Sequence, residues 1–405
     1  MPVQNQNPMF RMTRRGFMLA SGAATACALA GCRSMPGASM ENFPRKLALY
    51  KSLFGITPHG AKVYQYTLTN SHGMVVRLIT YGARVQRIQA PDARGNIGDV
   101  ALGYETLPPY LNADDPYFGA TIGRYANRIA NGTFTLNGTT YHVPINNGPN
   151  ALHGGPNAFD RQVWNATAVQ EAGRPGVRFN LFSPAMQNGF PGDLETAATY
   201  LLSDQNELLI HLRANVAGSP TVINLTNHTY FNLAGPGTKI LNHRLMINAD
   251  RYTPVNKVLI PTGQILPVAG TPCDFRKPVL LASRIKPFPA GSKANSDLIP
   301  YGYDYNWCLN AQGGNMSLAA RLEEHSTGRI LECFTTQPGL QVYTGNYLNG
   351  TLKGIGGAYP RHGAITLETQ HYPDSPNHPN FPSTVLTPSE TYYQKTVYRF
   401  RTLQP

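Results

Sequence analysis

GMVVRLITY, from Gly73 to Tyr81, crowds branched and aromatic side chains into a run too short for a helix of ordinary length. LLIHLRA (Leu208–Ala214) repeats that composition, and TVYRFRT (Thr396–Thr402) alternates polar and apolar residues with a period of two. Between such runs lie breakers: Asn137-Gly138, Asn147-Gly148-Pro149 and Pro191-Gly192. These residues favour turns through positive or preset φ. The 39 glycines and 33 prolines suit many turns, and no long stretch keeps a helical period without one of them interrupting it. The expectation is an all-β chain: a large antiparallel β-sandwich or barrel with few short helices.

The N-terminus reads differently. Arg11, Arg14 and Arg15 precede an uncharged, mostly small and apolar stretch from Phe17 to Ala30. A basic segment followed by so short an apolar run reads as an export signal rather than a membrane span. Thr13-Arg14-Arg15-Gly16-Phe17 resembles the twin-arginine export motif, and Leu29-Ala30-Gly31-Cys32 resembles a bacterial lipobox. That reading makes residues 1–31 a signal peptide and leaves Cys32 as a lipidated N-terminus. Residues 32–50, with Pro36, Gly37 and Pro44, read as a tether, and 51–405 as one domain. An ordinary cleaved signal with an incidental Cys32 is the alternative. The expected address is the periplasmic side of a cell envelope, with Arg33 after the cysteine favouring an outer membrane.

Charge and cysteine usage add little. The net charge of +12 falls to +9 once the three signal arginines are removed, and the remaining cations are scattered rather than clustered, which argues against nucleic acid. Cys273, Cys308 and Cys333 remain after Cys27 and Cys32. Buried free thiols are the default for them, with one disulfide left open. Their spacing matches no zinc site, and the oligomeric state is not readable.

Three separated runs carry the chemistry. NALHGG holds His153 in a glycine-flanked turn, NLTNHTYFNLAG holds His228, and ITLETQHYPDSPNHPNFPS holds Glu368 in a strand-like stretch. Their residues, order and intervening segments resemble aldose 1-epimerases, the galactose mutarotase family, from about Lys51 to Phe400. The resemblance implies a galactose-mutarotase-like supersandwich. It also implies interconversion of the α and β anomers of a free hexose of the glucose or galactose type, with no cofactor. In that chemistry a base takes the C1 hydroxyl proton, an acid protonates the ring oxygen, and the opened ring recloses. By the same resemblance Glu368 is the general base and His228 the general acid. Ordinary values near 6.5 for His and 4.3 for Glu make modest tuning sufficient.

The resemblance extends to binding residues. His153 would bond sugar hydroxyls, although its glycines also suit a purely structural turn. Asp304 (GYDYN) would accept from ring hydroxyls, with Tyr305 standing where the family often has histidine. Arg128 (GRYANRIANGTF) has a fork of donors suited to adjacent hydroxyls, or it could anchor a buried carboxylate. Asn127 and Gln337 read as pocket amides, and Tyr230 and Phe231 as an apolar wall or as core. A metal site from His371, Asp374 and His378 matches no ligand motif, so no metal is expected. Gly354-Ile-Gly-Gly357 lacks a P-loop's lysine and reads as a mobile loop. Two alternatives remain: a non-catalytic carbohydrate-binding protein on the same fold, and a hexose-phosphate epimerase needing a basic pocket.

Overall fold

The computed structural model describes residues 48–287, 301–310 and 314–403. Among them strands dominate, the one α-helix being the single turn Pro108–Leu111. The largest sheet runs, in spatial order, Asn165–Glu171, Arg174–Ser183, Asp193–Leu202, Glu207–Ala217, Tyr392–Thr402, Arg329–Thr335, Ser317–Glu324, His243–Ile247 and Val279–Leu280. Every neighbouring pair in it is antiparallel. This is the antiparallel β architecture expected from the sequence.

Period-two alternation makes that sheet one wall of the core. Along Glu207–Ala217 the buried positions are Leu208, Ile210, Leu212, Ala214 and Val216, while Arg213 between them is exposed. A second antiparallel sheet packs against this apolar face, ordered Tyr230–Phe231, Ile365–Gln370, Gly339–Tyr343, Asp304–Cys308, Arg251–Thr253 and Leu266–Pro267. Leu340, Val342, Ile365, Leu367 and Trp307 from the second sheet join Leu212, Tyr398 and Phe400 from the first in one apolar cluster. The Tyr398 hydroxyl donates to the Leu367 carbonyl at 2.7 Å, so this buried polar atom is satisfied. A five-stranded sheet, Ala48–Ile56 to Ile97–Asp99, contributes Leu68, Val76, Leu78, Val85 and Ile88 to the same cluster.

The central strands of the second sheet, Ile365–Gln370, Gly339–Tyr343 and Asp304–Cys308, are buried on both faces, and that feature prepares the site. Ile365–Gln370 is buried at every position, although its residues alternate in polarity. Ile365 and Leu367 face the apolar cluster, so Thr366, Glu368 and Gln370 project from the opposite face. Register then aligns polar residues across strands: Asn306 pairs with Gln341, and Gln341 with Glu368. Asp304 likewise pairs with Tyr343, Tyr343 with Thr366, and Thr366 with Tyr230. A buried row of polar side chains costs free energy unless each finds a partner or a ligand.

Local expectations fare individually. Asn137-Gly138 forms the two-residue turn between Thr133–Leu136 and Thr139–His142, with φ of +49° and +78° as a primed hairpin turn requires. Strand Ala48–Ile56 takes in the last three residues of the stretch read as tether, because Ala48, Leu49 and Tyr50 pair with Thr69, Leu68 and Thr67. Gly354 to Gly357 closes a small hairpin rather than a mobile loop: Ile355 is buried and the Tyr359 hydroxyl donates to Gly103 O at 2.6 Å. Cys273, Cys308 and Cys333 are buried free thiols, and burial raises each above its ordinary value. Cys32 and the rest of the expected signal lie outside the described residues.

Candidate active site

NLTNHTYFNLAG folds so that most of its polar side chains are used as stitches. Asn224 Nδ2 donates to Ala126 O and His371 O, and its Oδ1 accepts from His371 N. Thr226 donates to Thr369 O, Asn227 Nδ2 to Gly119 O, Thr229 to Asn227 Oδ1, and Asn232 to Gly363 O. The backbone of His228 is clamped on both sides, its N–H donating to Ala120 O at 2.8 Å and its carbonyl accepting from Gly119 N at 3.0 Å. Gly119 has φ +65°, and a Cβ there would meet Val85 O at 1.9 Å, so only glycine fits. The His228 ring is spared from this scaffolding. Its Nδ1 has no hydrogen-bond partner, and its Nε2 lies 3.5 Å from Glu368 Oε1.

Glu368 is 1 % exposed. Thr366, two positions back on the same face, donates to Oε1 at 2.8 Å, while Oε2 is left without a partner. Burial raises the carboxyl to about 8; Thr366 and Arg128 work against that rise and Asp304 adds to it. Burial likewise lowers the His228 imidazole to about 3, with Arg84 as a further positive neighbour opposing its charge. The tuning is much larger than the modest shift the residue types require, because both groups lose water together. The consequence is a pair that holds one proton between them, and a carboxylate and an imidazolium more reactive than in water.

His153 enters from its glycine turn. It has φ +52°, followed by Gly154 at +87° and Gly155 at +85°, so the glycines do build the turn. The histidine is not idle for that reason. Asn127 N–H donates to its Nδ1 at 3.2 Å, and the His153 N–H returns to Asn127 O at 3.0 Å. An acceptor Nδ1 in a neutral ring puts the proton on Nε2, which makes His153 a donor. Burial, with His228 and Arg128 as positive neighbours, lowers the ring well below its ordinary value and keeps it neutral. Asn127 itself has φ +62°, and its Oδ1 accepts from Arg128 N at 2.9 Å. Left-handed backbone at non-glycine residues costs on the order of 1–3 kcal/mol each and clusters at functional sites.

Arg128 and Asp304 form a buried ion pair at 3.4 Å, the arginine also donating through Nε to Asn147 Oδ1 at 3.1 Å. Both readings of Arg128 therefore hold at once: it anchors a carboxylate, and it does so beside the pocket. Gln341 Nε2 donates to the other Asp304 oxygen. Gln341 is a site residue that the sequence does not reveal. Its register opposite Glu368 appears only when strands Gly339–Tyr343 and Ile365–Gln370 pair. Gln337, expected as the pocket amide of that segment, accepts through Oε1 from His371 Nδ1 at 2.9 Å. Tyr305 faces the apolar cluster on the opposite side of its strand from Asp304, so the unusual residue there alters packing, not the aspartate's surroundings. Phe231 belongs to that cluster as well, whereas Tyr230 lies 5.1 Å from the His228 ring.

His153, His228 and Glu368 each bring one ligand-type atom within 4.8 Å of the others, a spacing that invites a metal reading. The tautomer argues against it. A metal on His153 Nε2 would require a proton on Nδ1, where the Asn127 N–H already points, and a metal on Nδ1 would compete for the same lone pair. The trio considered from sequence does not converge: His378 Nε2 meets Asp374 Oδ2 at 3.3 Å, while His371 turns to Gln337. What the arrangement can do is acid–base work on a polyhydroxylated ring: one shared proton, two flanking groups, and donors and acceptors for hydroxyls.

Comparison with known proteins agrees. The family model described as aldose 1-epimerase matches residues 64–399. The chain is 43% identical over 356 residues to galactose mutarotase from Mus musculus, covering 87% of this chain and 99% of that protein. It is 38% identical over 347 residues to aldose 1-epimerase from Escherichia coli, covering 85% and 97%. Among solved structures, galactose 1-epimerase from Lactobacillus acidophilus superimposes with a TM-score of 0.76 at 27% identity, covering 89% of this chain and all of that one. A GalM/aldose epimerase homologue from C. elegans gives 0.72 at 30% identity, covering 83% and 98%.

Proposed function

The chain belongs to the aldose 1-epimerase family, and on that premise we propose how its residues interconvert the α and β anomers of a free hexose. Glu368 is the base for the C1 hydroxyl and His228 the acid for the ring oxygen. The observation that carries the assignment is their 3.5 Å juxtaposition, with the second Glu368 oxygen unpartnered. The Nε2–H of His153, the Arg128–Asp304 pair and the Gln341 amide hold the ring hydroxyls. Bonds to hydroxyls that do not react are equal in ground and transition states, so they serve binding. When the ring recloses on the other face of C1, the two proton transfers run in reverse and the pair regains its starting state. The C1–O5 bond breaks as the C1 carbonyl forms and is remade on closure, so no group is transferred and the sugar is neither oxidised nor reduced.

A phosphorylated hexose would need a free cationic pocket. Arg128 and Arg84, whose charges act on the pair, are already engaged by Asp304, and by Asp115 and Asp160. Neutral sugar is the better match. Polarimetry on freshly dissolved α-anomers tests the reading. His228→Asn and Glu368→Gln should each lower kcat by about 10²–10⁴-fold, and the double variant should lose far less than their product. Sugar binding by a wild-type protein that shows no mutarotation would instead establish the carbohydrate-binding alternative.

The address is part of the same proposal. Arg14-Arg15 and Leu29 to Cys32 support twin-arginine export and a lipid anchor on the periplasmic side of the envelope. Cys32→Ser should release the protein from membranes or stall its processing. An unmodified mature N-terminus downstream of Cys32 would remove the anchor.

A further inference from the structure

The two histidines are oriented by different means. His153 has the Asn127 N–H on Nδ1, whereas Nδ1 of His228 is buried without a partner. A working imidazole usually takes its orientation from a hydrogen bond on its other nitrogen. Around His228 the neighbours are aromatic instead. Tyr230 lies 5.1 Å from its centroid at 36°, and Tyr117 lies 5.8 Å away at 40°. Tyr117 also meets the His153 ring edge-on at 4.6 Å, and the two imidazoles meet edge-on at 5.0 Å.

Tyr117 is held in a conformation that a bulky residue avoids, with φ +65°. The segment around it is tied down from several directions. Arg84, fully buried, takes the Asp115 carboxylate at 2.7 Å and donates to Phe118 O at 3.1 Å. Arg161 donates to Asn112 O and Ala113 O, each at 2.9 Å. The Tyr230 hydroxyl donates to Pro116 O at 3.0 Å, and Ala120 N closes the turn on Tyr117 O. Only a surrounding structure that over-determines such a backbone keeps it. The residue so held touches both histidines of the site.

We propose that Tyr117 is a positioning residue: its ring, carried on a segment fixed by Arg84, Arg161 and Tyr230, orients His228 by packing, closes against the edge of His153 and keeps water from both. The proposal rests on the assignment of His228 as the acid. The ring does the work, and the hydroxyl does not. Removing the ring lets the imidazole turn and admits water to the Glu368–His228 pair, whose remaining titratable and charged neighbours are Asp304, Arg128, His153 and Arg84, the last itself paired with Asp115 and Asp160.

Mutarotation kinetics of Tyr117→Phe, Tyr117→Leu and Tyr117→Ala in the full chain test this. Tyr117→Phe should stay within about twofold of wild type. The other two should lose about 10–100-fold in kcat with KM little changed, and the alkaline limb of their pH profile should move to lower pH as the Glu368 carboxyl regains water. Tyr117→Leu fills much of the space and covers the case in which Tyr117→Ala does not fold. Wild-type kcat and pH profile in a folded Tyr117→Leu protein would overturn the proposal. So would a loss in Tyr117→Phe equal to that in Tyr117→Leu, which would give the role to the hydroxyl. Glu368→Gln is run in parallel: full activity there refutes the acid–base assignment itself, a different failure from that of Tyr117.

Discussion

Glu368 Oε1 and His228 Nε2 stand 3.5 Å apart, and burial pushes the carboxyl up to about 8 and the imidazole down to about 3. The pair therefore holds one proton from about pH 3 to about pH 8. The reactive arrangement, carboxylate with imidazolium, contains the same single proton.

The pH dependence of kcat/KM follows. It should be flat across neutrality and fall above about pH 8, where the shared proton is lost, with no limb near the usual carboxylate range. Initial rates between pH 5 and 9.5, corrected for spontaneous mutarotation, check this. A limb centred near pH 4.5 with none near 8 would show that the pair is not desolvated as the structure has it.

Stability should move opposite to activity at Glu368. Its folded value lies above the unfolded 4.5, so its contribution is fully present below pH 4.5 and is lost as pH rises through about 8. At neutral pH the folded protein must keep a proton on this group that the unfolded chain has already lost, and that costs on the order of 3 kcal/mol at 1.36 kcal/mol per pKa unit between 4.5 and 7. Glu368→Gln keeps an acceptor for Thr366 and should be more stable than wild type at pH 8, with the gap closing toward pH 4.5. Thermal unfolding of both proteins across that range is the measurement. A gap that widens on acidification contradicts the assignment.

The Arg128–Asp304 pair predicts coupling rather than two independent losses. Either Arg128→Leu or Asp304→Leu alone strands a buried charge, costing about 3–5 kcal/mol, and both together cost less than either. Chemical denaturation of the two single variants and the double variant tests it. Asp304→Asn, which keeps shape and a partner for Gln341, should mainly raise KM, by about tenfold or more, because the hydroxyls it meets do not react.

The hydrogen bond from Asn127 N to His153 Nδ1 predicts indifference to chelators. Protein dialysed against EDTA should keep its full mutarotation rate, and added Zn²⁺ should not raise it. Loss on dialysis with recovery on Zn²⁺ would mean that His153 adopts the other tautomer.

Much of this was legible in the chain. Runs such as LLIHLRA and TVYRFRT identify strands because a pleated strand exposes alternate residues to different surroundings. Glu368, His228, His153, Arg128 and Asp304 could be named because each sits in a local run that the family resemblance recognises. Gln341 could not, since TTQPGLQVYTGN offers two glutamines and only cross-strand register places one opposite Glu368. Tyr117 lies in a loop with no periodicity, and its contact with both histidines depends on segments brought from residues 84, 161 and 230.

Local sequence by itself determined the elements and the kinds of reactive group, because turn chemistry and strand alternation act between neighbours along the chain. The tertiary structure alone decided how those groups behave. Desolvation, ion pairing and ring packing arise between residues far apart in the chain, and they turn Glu368 from an ordinary acid into one near 8 and His228 into an imidazole near 3.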